Sequence, residues 1–131
     1  MGKLPTGLLS GLTVIAILWL TLAPKPLGDE PPPLFPGADK IAHAIMFGGL
    51  TWMILLDWQR KHAWEKVKML TILIVAFSSS LFGILIEFLQ AAMQLGRGFE
   101  YADMAADIIG SFICVFIYKY FQNFWVSTTD K

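Results

Sequence analysis

The sequence is poor in cysteine and in charged residues, and it has no excess of either charge. With one cysteine, Cys114, the chain can form neither an internal disulfide nor a multi-thiolate metal site, which excludes disulfide-stapled folds and zinc fingers. Ten Lys and Arg balance ten Asp and Glu, so no basic surplus favours nucleic acid as a partner. Only 15% of the residues are charged and 56% are hydrophobic, with a mean hydropathy of +0.60. Such a composition is typical of a protein that is solvated by lipid.

Four apolar segments are long enough to cross a bilayer core, which takes about 20 helical residues. No alternating strand pattern is present, and backbone that faces lipid must form its hydrogen bonds within its own segment. The sequence therefore predicts an all-α integral membrane bundle of four transmembrane helices, a single domain over residues 1–131. The predicted helices cover about residues 4–23, 41–58, 69–90 and 102–121.

The first segment resembles a signal peptide, because Lys3 precedes an apolar run. Its length and the proline that follows it, Pro24, favour retention as a helix. The connection from about Pro24 to Asp39 is rich in proline and cannot continue a helix. We expect it to act either as a cover over the outer mouth of the bundle or as a plain spacer.

The distribution of positive charge predicts an orientation. If all four segments span, both termini and the second loop share one side of the membrane, and that side holds seven of the ten Lys and Arg residues. The positive-inside rule places this side in the cytoplasm. These seven cations are Lys3, Arg60, Lys61, Lys66, Lys68, Lys119 and Lys131.

Eight polar residues fall at or near the predicted outer ends of the second, third and fourth segments. A charged side chain that faces lipid costs about 2.5–3.5 kcal/mol, so such residues normally face the bundle interior or a wet cavity. The sequence therefore predicts a polar layer inside the bundle at one level of the membrane. The eight residues are Asp39, Lys40, His43, Glu87, Gln90, Arg97, Asp103 and Asp107.

The order and spacing of these residues resemble those of the VanZ-like family of small bacterial membrane proteins, which is named for a teicoplanin-resistance protein. The motifs are Asp39-Lys40-x-x-His43-x-x-x-Phe47, Glu87-x-x-Gln90, and Arg97 with Asp103-x-x-x-Asp107-x-x-Gly110. The resemblance covers about residues 37–112. It implies a multi-pass protein of the bacterial cell envelope, hence the inner membrane, with some members linked to glycopeptide tolerance.

Two positions depart from the family pattern. A tyrosine is frequent where Phe47 stands, and an asparagine where Asp107 stands. The second departure adds a negative charge and bears on any role that requires a neutral amide at this position.

The polar layer suggests a pocket, open to the extracytoplasmic side, for an anionic envelope lipid or a lipid-linked precursor. Arg97 would bind phosphate or carboxylate through its forked guanidinium. His43 and Glu87 are the candidate catalytic acid/base pair if the ligand is modified. The remaining predicted ligand-binding residues are Gln90, Asp103, Asp107, Lys40 and Asp39.

A structural interpretation is the main alternative. Arg97 could pair with Glu87 or Asp103, and His43 could bond Asp39 or Gln90, so that the layer only locks the helices together. Two small-residue pairs predict close helix contacts, either within the bundle or between two copies of the chain: Gly7-x-x-x-Gly11 and Ser79-x-x-x-Gly83. The sequence therefore allows an oligomer as well as a monomer.

Two further interpretations concern ions. A divalent metal could bind to His43 together with Glu87, Asp103 and Asp107. The chain has neither an H-E-x-x-H motif nor a second histidine near this layer. The sequence therefore predicts no metal site and does not indicate a particular cofactor. Proton or ion translocation would use the same carboxylates, although the inner halves of the predicted helices are nearly wholly apolar and offer no path.

Overall fold

The structure, a computed structural model, describes residues 4–23, 35–93 and 99–129, and the regular structure in these ranges is entirely α-helical. The prediction of an all-α, four-helix fold is confirmed. Arg97 and the proline-rich stretch from Pro24 to residue 34 lie outside the described residues. The four helices are α1 (Leu8–Leu22), α2 (Ala38–Lys61), α3 (Met69–Ala92) and α4 (Tyr101–Thr129).

Breaks in the backbone set where the helices begin. Gly7 (φ 84°) precedes α1 and Gly37 (φ 85°) precedes α2. This left-handed conformation costs glycine little because it has no Cβ. The break at Gly37 explains why α2 starts three residues before the predicted start at residue 41. Lys68 is extended (φ −65°, ψ 144°) and precedes α3.

Three of the four helices are long and apolar enough to cross a membrane, namely α2, α3 and residues 101–126 of α4. Helix α1 has 15 residues, or about 22 Å of helix against a hydrocarbon core of about 30 Å. It is thus shorter than the predicted segment over residues 4–23. Helix α4 is longer than predicted, and Gln122, beyond the predicted end, is buried against the turn that precedes α3.

Helices α2 and α4 run parallel, and α3 packs antiparallel against both of them. Helix α1 lies on α2 and α3. The contact between α2 and α4 depends on Gly110, because a Cβ there would lie 2.1 Å from the backbone oxygen of Ala44. A Cβ on Gly48 would lie 2.9 Å from the oxygen of Gly110. Small residues therefore let the two backbones touch.

The bundle has two ends, which differ in their buried polar residues. The histidine end is where α2 and α4 begin and α3 ends, and it contains His43. The glutamine end is the opposite one, and it contains Gln59 and Gln122. Apolar side chains cover much of the outer surface between them, with Phe116 74% and Ile45 67% exposed. Such exposure suits a lipid environment.

Candidate functional site

The histidine end holds a cluster of ionisable side chains, here called the histidine cluster: Lys40, His43, Glu87, Asp103 and Asp107. On α2 and on α4 the members lie about one helical turn apart, so each pair shares a face. The close contact at Gly110 then sets the α2 pair beside the α4 pair. Helix α3 closes the cluster with its single member.

His43 lies between two carboxylates. Its Nδ1 is 2.9 Å from Asp107 Oδ1, and its Nε2 is 3.8 Å from Asp103 Oδ2. The imidazole is 8% exposed and Asp107 is fully buried. A hydrogen bond at one ring nitrogen fixes the orientation of the ring and leaves the other nitrogen for a second partner. These two aspartates, and not Asp39 or Gln90, are the partners that the structure shows for His43.

Glu87 is fully buried and only partly satisfied. Its Oε2 accepts a hydrogen bond of 3.3 Å from the backbone N–H of Glu100, whereas Oε1 has no partner among the described residues. One ligand atom each of His43, Glu87 and Asp103 lies within 4.8 Å of the other two. An unmet buried carboxylate oxygen is rare in proteins and calls for a specific explanation.

Asp107 reaches its position because α3 has a glycine opposite it. A Cβ on Gly83 would lie 2.6 Å from Asp107 Oδ2, and this oxygen also lacks a partner within the described ranges. The close helix contact predicted for the Ser79-x-x-x-Gly83 pair is thus made by the carboxylate of Asp107, which occupies the space that a side chain at Gly83 would fill. Nothing described lies within 4 Å of a Cβ built on Gly7 or Gly11.

Lys40 forms the outer layer of the cluster. Its Nζ is 2.8 Å from Asp103 Oδ1 and also pairs with Asp39 and Glu100. The side chains of Asp39 and Glu100 are 58% and 52% exposed, so these two pairs are hydrated and weak. Glu100 was not singled out by the sequence, although a glutamate one turn before Asp103 offered a signal.

Six of the eight predicted site residues meet in this region: Asp39, Lys40, His43, Glu87, Asp103 and Asp107. Gln90 is buried, but its Nε2 donates a 2.7 Å hydrogen bond to the carbonyl of Thr21 and so ties α3 to α1. Arg97, the predicted anion-binding residue, lies outside the described residues.

An apolar groove runs along the outside of the bundle between α2 and α4, with a volume of about 470 Å³. On α2 it extends from Ile41 to Trp52, or about 16 Å of helix. Gly49, where a Cβ would meet nothing within 4 Å, leaves space in the groove that a side chain would fill. The groove begins at Ile41, next to Lys40, and its wall at Gly110 follows Asp107 by one turn. In the sequence, the adjacent glycines Gly48 and Gly49 were the feature that could have indicated this groove.

The glutamine end has polar groups of its own, which sequence reasoning missed. Asp57 is buried, and its carboxylate accepts hydrogen bonds from the backbone N–H (2.9 Å) and hydroxyl (2.8 Å) of Ser10. Arg60 donates to the same carboxylate at 3.0 Å and to the carbonyl of Leu4 at 2.9 Å. The feature of the sequence that could have identified Asp57 was a carboxylate within an apolar segment.

Two glutamines complete that end. Gln59 accepts a hydrogen bond from the hydroxyl of Tyr118 and donates one of 3.2 Å to the carbonyl of Glu65. Gln122 accepts from the N–H of Val67 at 2.9 Å and donates to its carbonyl at 3.1 Å. These side chains join α2, the turn after it and α4.

Between the two ends lies a band that is mostly apolar. Two buried hydroxyls, those of Ser79 and Ser111, lie about one helical turn from Gly83 and Asp107 toward the glutamine end, and they have no hydrogen-bond partner in the described part of the chain. Leu55, Ile72 and Val115 then pack together and separate these hydroxyls from the glutamine end. This packing supports no continuous polar path for an ion.

The fold and the site together define a helical membrane protein with an ionisable cluster buried at one end. The model of the VanZ/LLP1 family matches residues 10–122, which is most of the chain. The chain therefore belongs to the VanZ/LLP1 family, and the family resemblance read from the sequence is confirmed. No curated protein and no solved structure matches it. The choice of membrane and the orientation of the termini stay predictions.

Proposed function

We propose that this protein binds an anionic envelope lipid or lipid-linked precursor, with the hydrocarbon chain in the groove between α2 and α4 and the headgroup at Lys40. The observation that carries the proposal is that the apolar groove begins at Ile41, the residue after Lys40, so that one end of the groove lies next to the charged cluster. A lipid has the same arrangement of an apolar chain joined to a polar head.

The groove matches a hydrocarbon chain in length and in chemistry. Its length of about 16 Å is close to half of the bilayer core of about 30 Å, which is the depth of one leaflet. Its volume of about 470 Å³ falls in the range of about 300–1,000 Å³ typical of small-molecule sites. Its lining is almost wholly apolar, so it would exclude water and accept methylene groups.

The headgroup would lie at Lys40, whose side chain is 32% exposed, and would replace its weak, hydrated pairs with Asp39 and Glu100. Among the described lysines and arginines, Lys40 is the one that adjoins a lining residue of the groove, Ile41, in the sequence. His43 and Glu87 lie just below it, and any proton transfer to or from a bound headgroup would use this pair. The predicted contribution of Arg97 to anion binding remains part of the proposal.

The proposal is tested by filling the groove. A Cβ on Gly49 meets nothing within 4 Å, so Gly49→Leu would place a side chain in the groove without an internal clash. The matched control is Gly11→Leu on α1, where a Cβ also meets nothing within 4 Å. We expect Gly49→Leu to reduce lipid retention at least about tenfold, a loss of about 1.4 kcal/mol, and the control to retain lipid like the wild type.

The measurement is native mass spectrometry of the protein in mild detergent, titrated separately with phosphatidylglycerol, with phosphatidylcholine of the same acyl chains, and with a polyprenyl phosphate. A preference for phosphatidylglycerol over phosphatidylcholine indicates headgroup selection, and the polyprenyl phosphate arm distinguishes a phospholipid from a lipid-linked precursor. Equal retention of all lipids by the wild type and both variants would contradict the proposal.

We further propose that lipid binding by this protein affects glycopeptide tolerance, as the family resemblance suggests. The minimal inhibitory concentration of teicoplanin is then expected to rise on expression of the wild type and of Gly11→Leu, but not of Gly49→Leu. An equal rise in the minimal inhibitory concentration with both variants would show that tolerance does not depend on the groove.

A structural role for the histidine cluster is the second candidate. The pairs His43–Asp107 and Lys40–Asp103 join α2 to α4, as a locking interaction would. The unmet oxygen of Glu87 argues against it as the whole explanation, because a cluster that only locks helices is most stable when each buried group has a partner.

A further inference from the structure

The histidine cluster contains more negative than positive charge. Its buried carboxylates are Glu87, Asp103 and Asp107, and the described cations facing them are Lys40 and, when protonated, His43. With all three carboxylates ionised and His43 neutral, the cluster has a surplus of two negative charges. Uncompensated charge in a low-dielectric interior is strongly unfavourable. A divalent cation would remove this surplus.

The ligand atoms are already close together. One atom each of His43, Glu87 and Asp103 lies within 4.8 Å of the others, and all three residues come from different helices. Two atoms on opposite sides of a metal with bonds of about 2.1–2.5 Å are separated by about 4.2–5.0 Å. The three side chains can thus reach one ion with small rotations.

The orientation of His43 fits a metal ligand. Metal-binding histidines commonly donate one ring N–H to a carboxylate, which fixes the tautomer and turns the other nitrogen to the metal. Asp107 occupies the place of this carboxylate, 2.9 Å from Nδ1. Nε2 is then the ring nitrogen on the side of Asp103.

Glu87 supplies the independent observation. It is fully buried, and its Oε1 has no partner among the residues that the structure describes. Its carboxylate belongs to the same group of ligand atoms as His43 and Asp103. A buried carboxylate with an unpartnered oxygen, grouped with a histidine and a second carboxylate, is suited to a cation.

We propose that His43 Nε2 and the carboxylates of Glu87 and Asp103 bind one divalent transition-metal ion, of the type of Zn²⁺ or Mn²⁺, with Asp107 as the positioning residue for His43. A nitrogen ligand beside two carboxylates favours these ions over Ca²⁺ and Mg²⁺, which prefer all-oxygen sites. The second carboxylate group, Asp39 with Glu100 and Asp103, already surrounds Lys40 and needs no ion. This site shares His43 and Glu87 with the proposed headgroup region, but the two proposals are tested separately because the metal titration below uses no lipid.

The test uses the full-length protein, purified in detergent without added lipid and stripped with EDTA. Zn²⁺ and Mn²⁺ are titrated by calorimetry, and Co²⁺ is titrated as a spectroscopic probe because its visible bands report nitrogen and oxygen coordination. We expect one ion per chain, a higher midpoint of thermal unfolding with Zn²⁺, and weaker binding of Ca²⁺. Absence of saturable Zn²⁺, Mn²⁺ and Co²⁺ binding by the wild type would overturn the proposal.

The variants form a matched pair. Glu87→Gln removes the charge of a ligand, and Glu65→Gln makes the same change at an exposed position at the glutamine end. We expect Glu87→Gln to weaken binding at least about tenfold and Glu65→Gln to leave it unchanged. Asp107→Leu, which leaves all three ligands in place, is expected to weaken binding by about 10–100-fold and to alter the Co²⁺ spectrum. Equal affinity of the wild type and Glu87→Gln would refute the assignment, and because no lipid is present this result would leave the lipid proposal standing.

Discussion

The two ends of this bundle use buried polar residues in opposite ways. At the glutamine end the side chains of Asp57, Gln59 and Gln122 each make at least two hydrogen bonds. At the histidine end Glu87 Oε1 and Asp107 Oδ2 are buried and have no partner within the described residues. The first arrangement is complete in itself, whereas the second leaves two buried carboxylate oxygens without a hydrogen-bond partner.

This contrast offers a way to separate structural from ligand-binding polar residues within one small membrane protein. A satisfied buried network stabilises a fold, and removal of one member leaves its partner unpaired. A buried carboxylate without a partner destabilises the fold until something binds to it. Incomplete hydrogen bonding, more than the presence of charge, is therefore the reason to propose the histidine end as the ligand-binding one.

The largest expected effect comes from breaking the contact that assembles the histidine end. Gly110→Ala would place a Cβ 2.1 Å from the backbone oxygen of Ala44, and backbone atoms cannot rotate away, so α2 and α4 must separate. We expect a loss of about 3 kcal/mol in the free energy of unfolding, measured by denaturant titration in detergent.

The matched control is Gly49→Ala on the facing helix. A Cβ there meets nothing within 4 Å, so this variant should be as stable as the wild type or gain up to about 1 kcal/mol from the higher helix propensity of alanine. Equal losses in both variants would show that the contact at Gly110 is not special.

A smaller loss is expected from breaking the glutamine end. Asp57→Ala leaves Arg60 and the backbone N–H of Ser10 without their acceptor. The side chain of Arg60 is 20% exposed, so water compensates in part, and we expect a loss of about 2 kcal/mol. Chemical unfolding monitored by circular dichroism measures it. Metal affinity at the histidine end should not change, and a parallel loss of metal binding would contradict the independence of the two ends.

The smallest effects are expected from two hydroxyl deletions, one at the glutamine end and one near the histidine cluster. Tyr118→Phe removes the donor to Gln59 and is expected to cost about 1 kcal/mol. Ser111→Ala removes a buried hydroxyl without a described partner, and is expected to change the free energy of unfolding by less than about 0.5 kcal/mol or to stabilise. Thermal unfolding of the two variants in parallel tests this order, and the reverse order would undo the distinction between the ends.

Much of the candidate site was predictable, because charged residues are rare enough in apolar helices to stand out. His43, Glu87, Asp103 and Asp107 were identified by this criterion, and they do meet. Gln90, a neutral residue selected because it shares a helical stripe with Glu87, bonds instead to Thr21, because a residue on the correct stripe can still turn to either of two neighbouring helices. Asp57 was overlooked because the predicted end of the second helix fell one residue after it.

The helical class, the membrane environment, the family and the level of the bundle at which ionisable residues gather can all be read from the amino-acid sequence. These follow from composition, length and spacing along the chain, which are local properties. Only the tertiary structure decided which carboxylate bonds His43, which oxygens stay unmet, and where the groove opens. These depend on how closely α2, α3 and α4 approach one another at Gly48, Gly83 and Gly110, and close approach is a property of helix pairs that no single segment encodes.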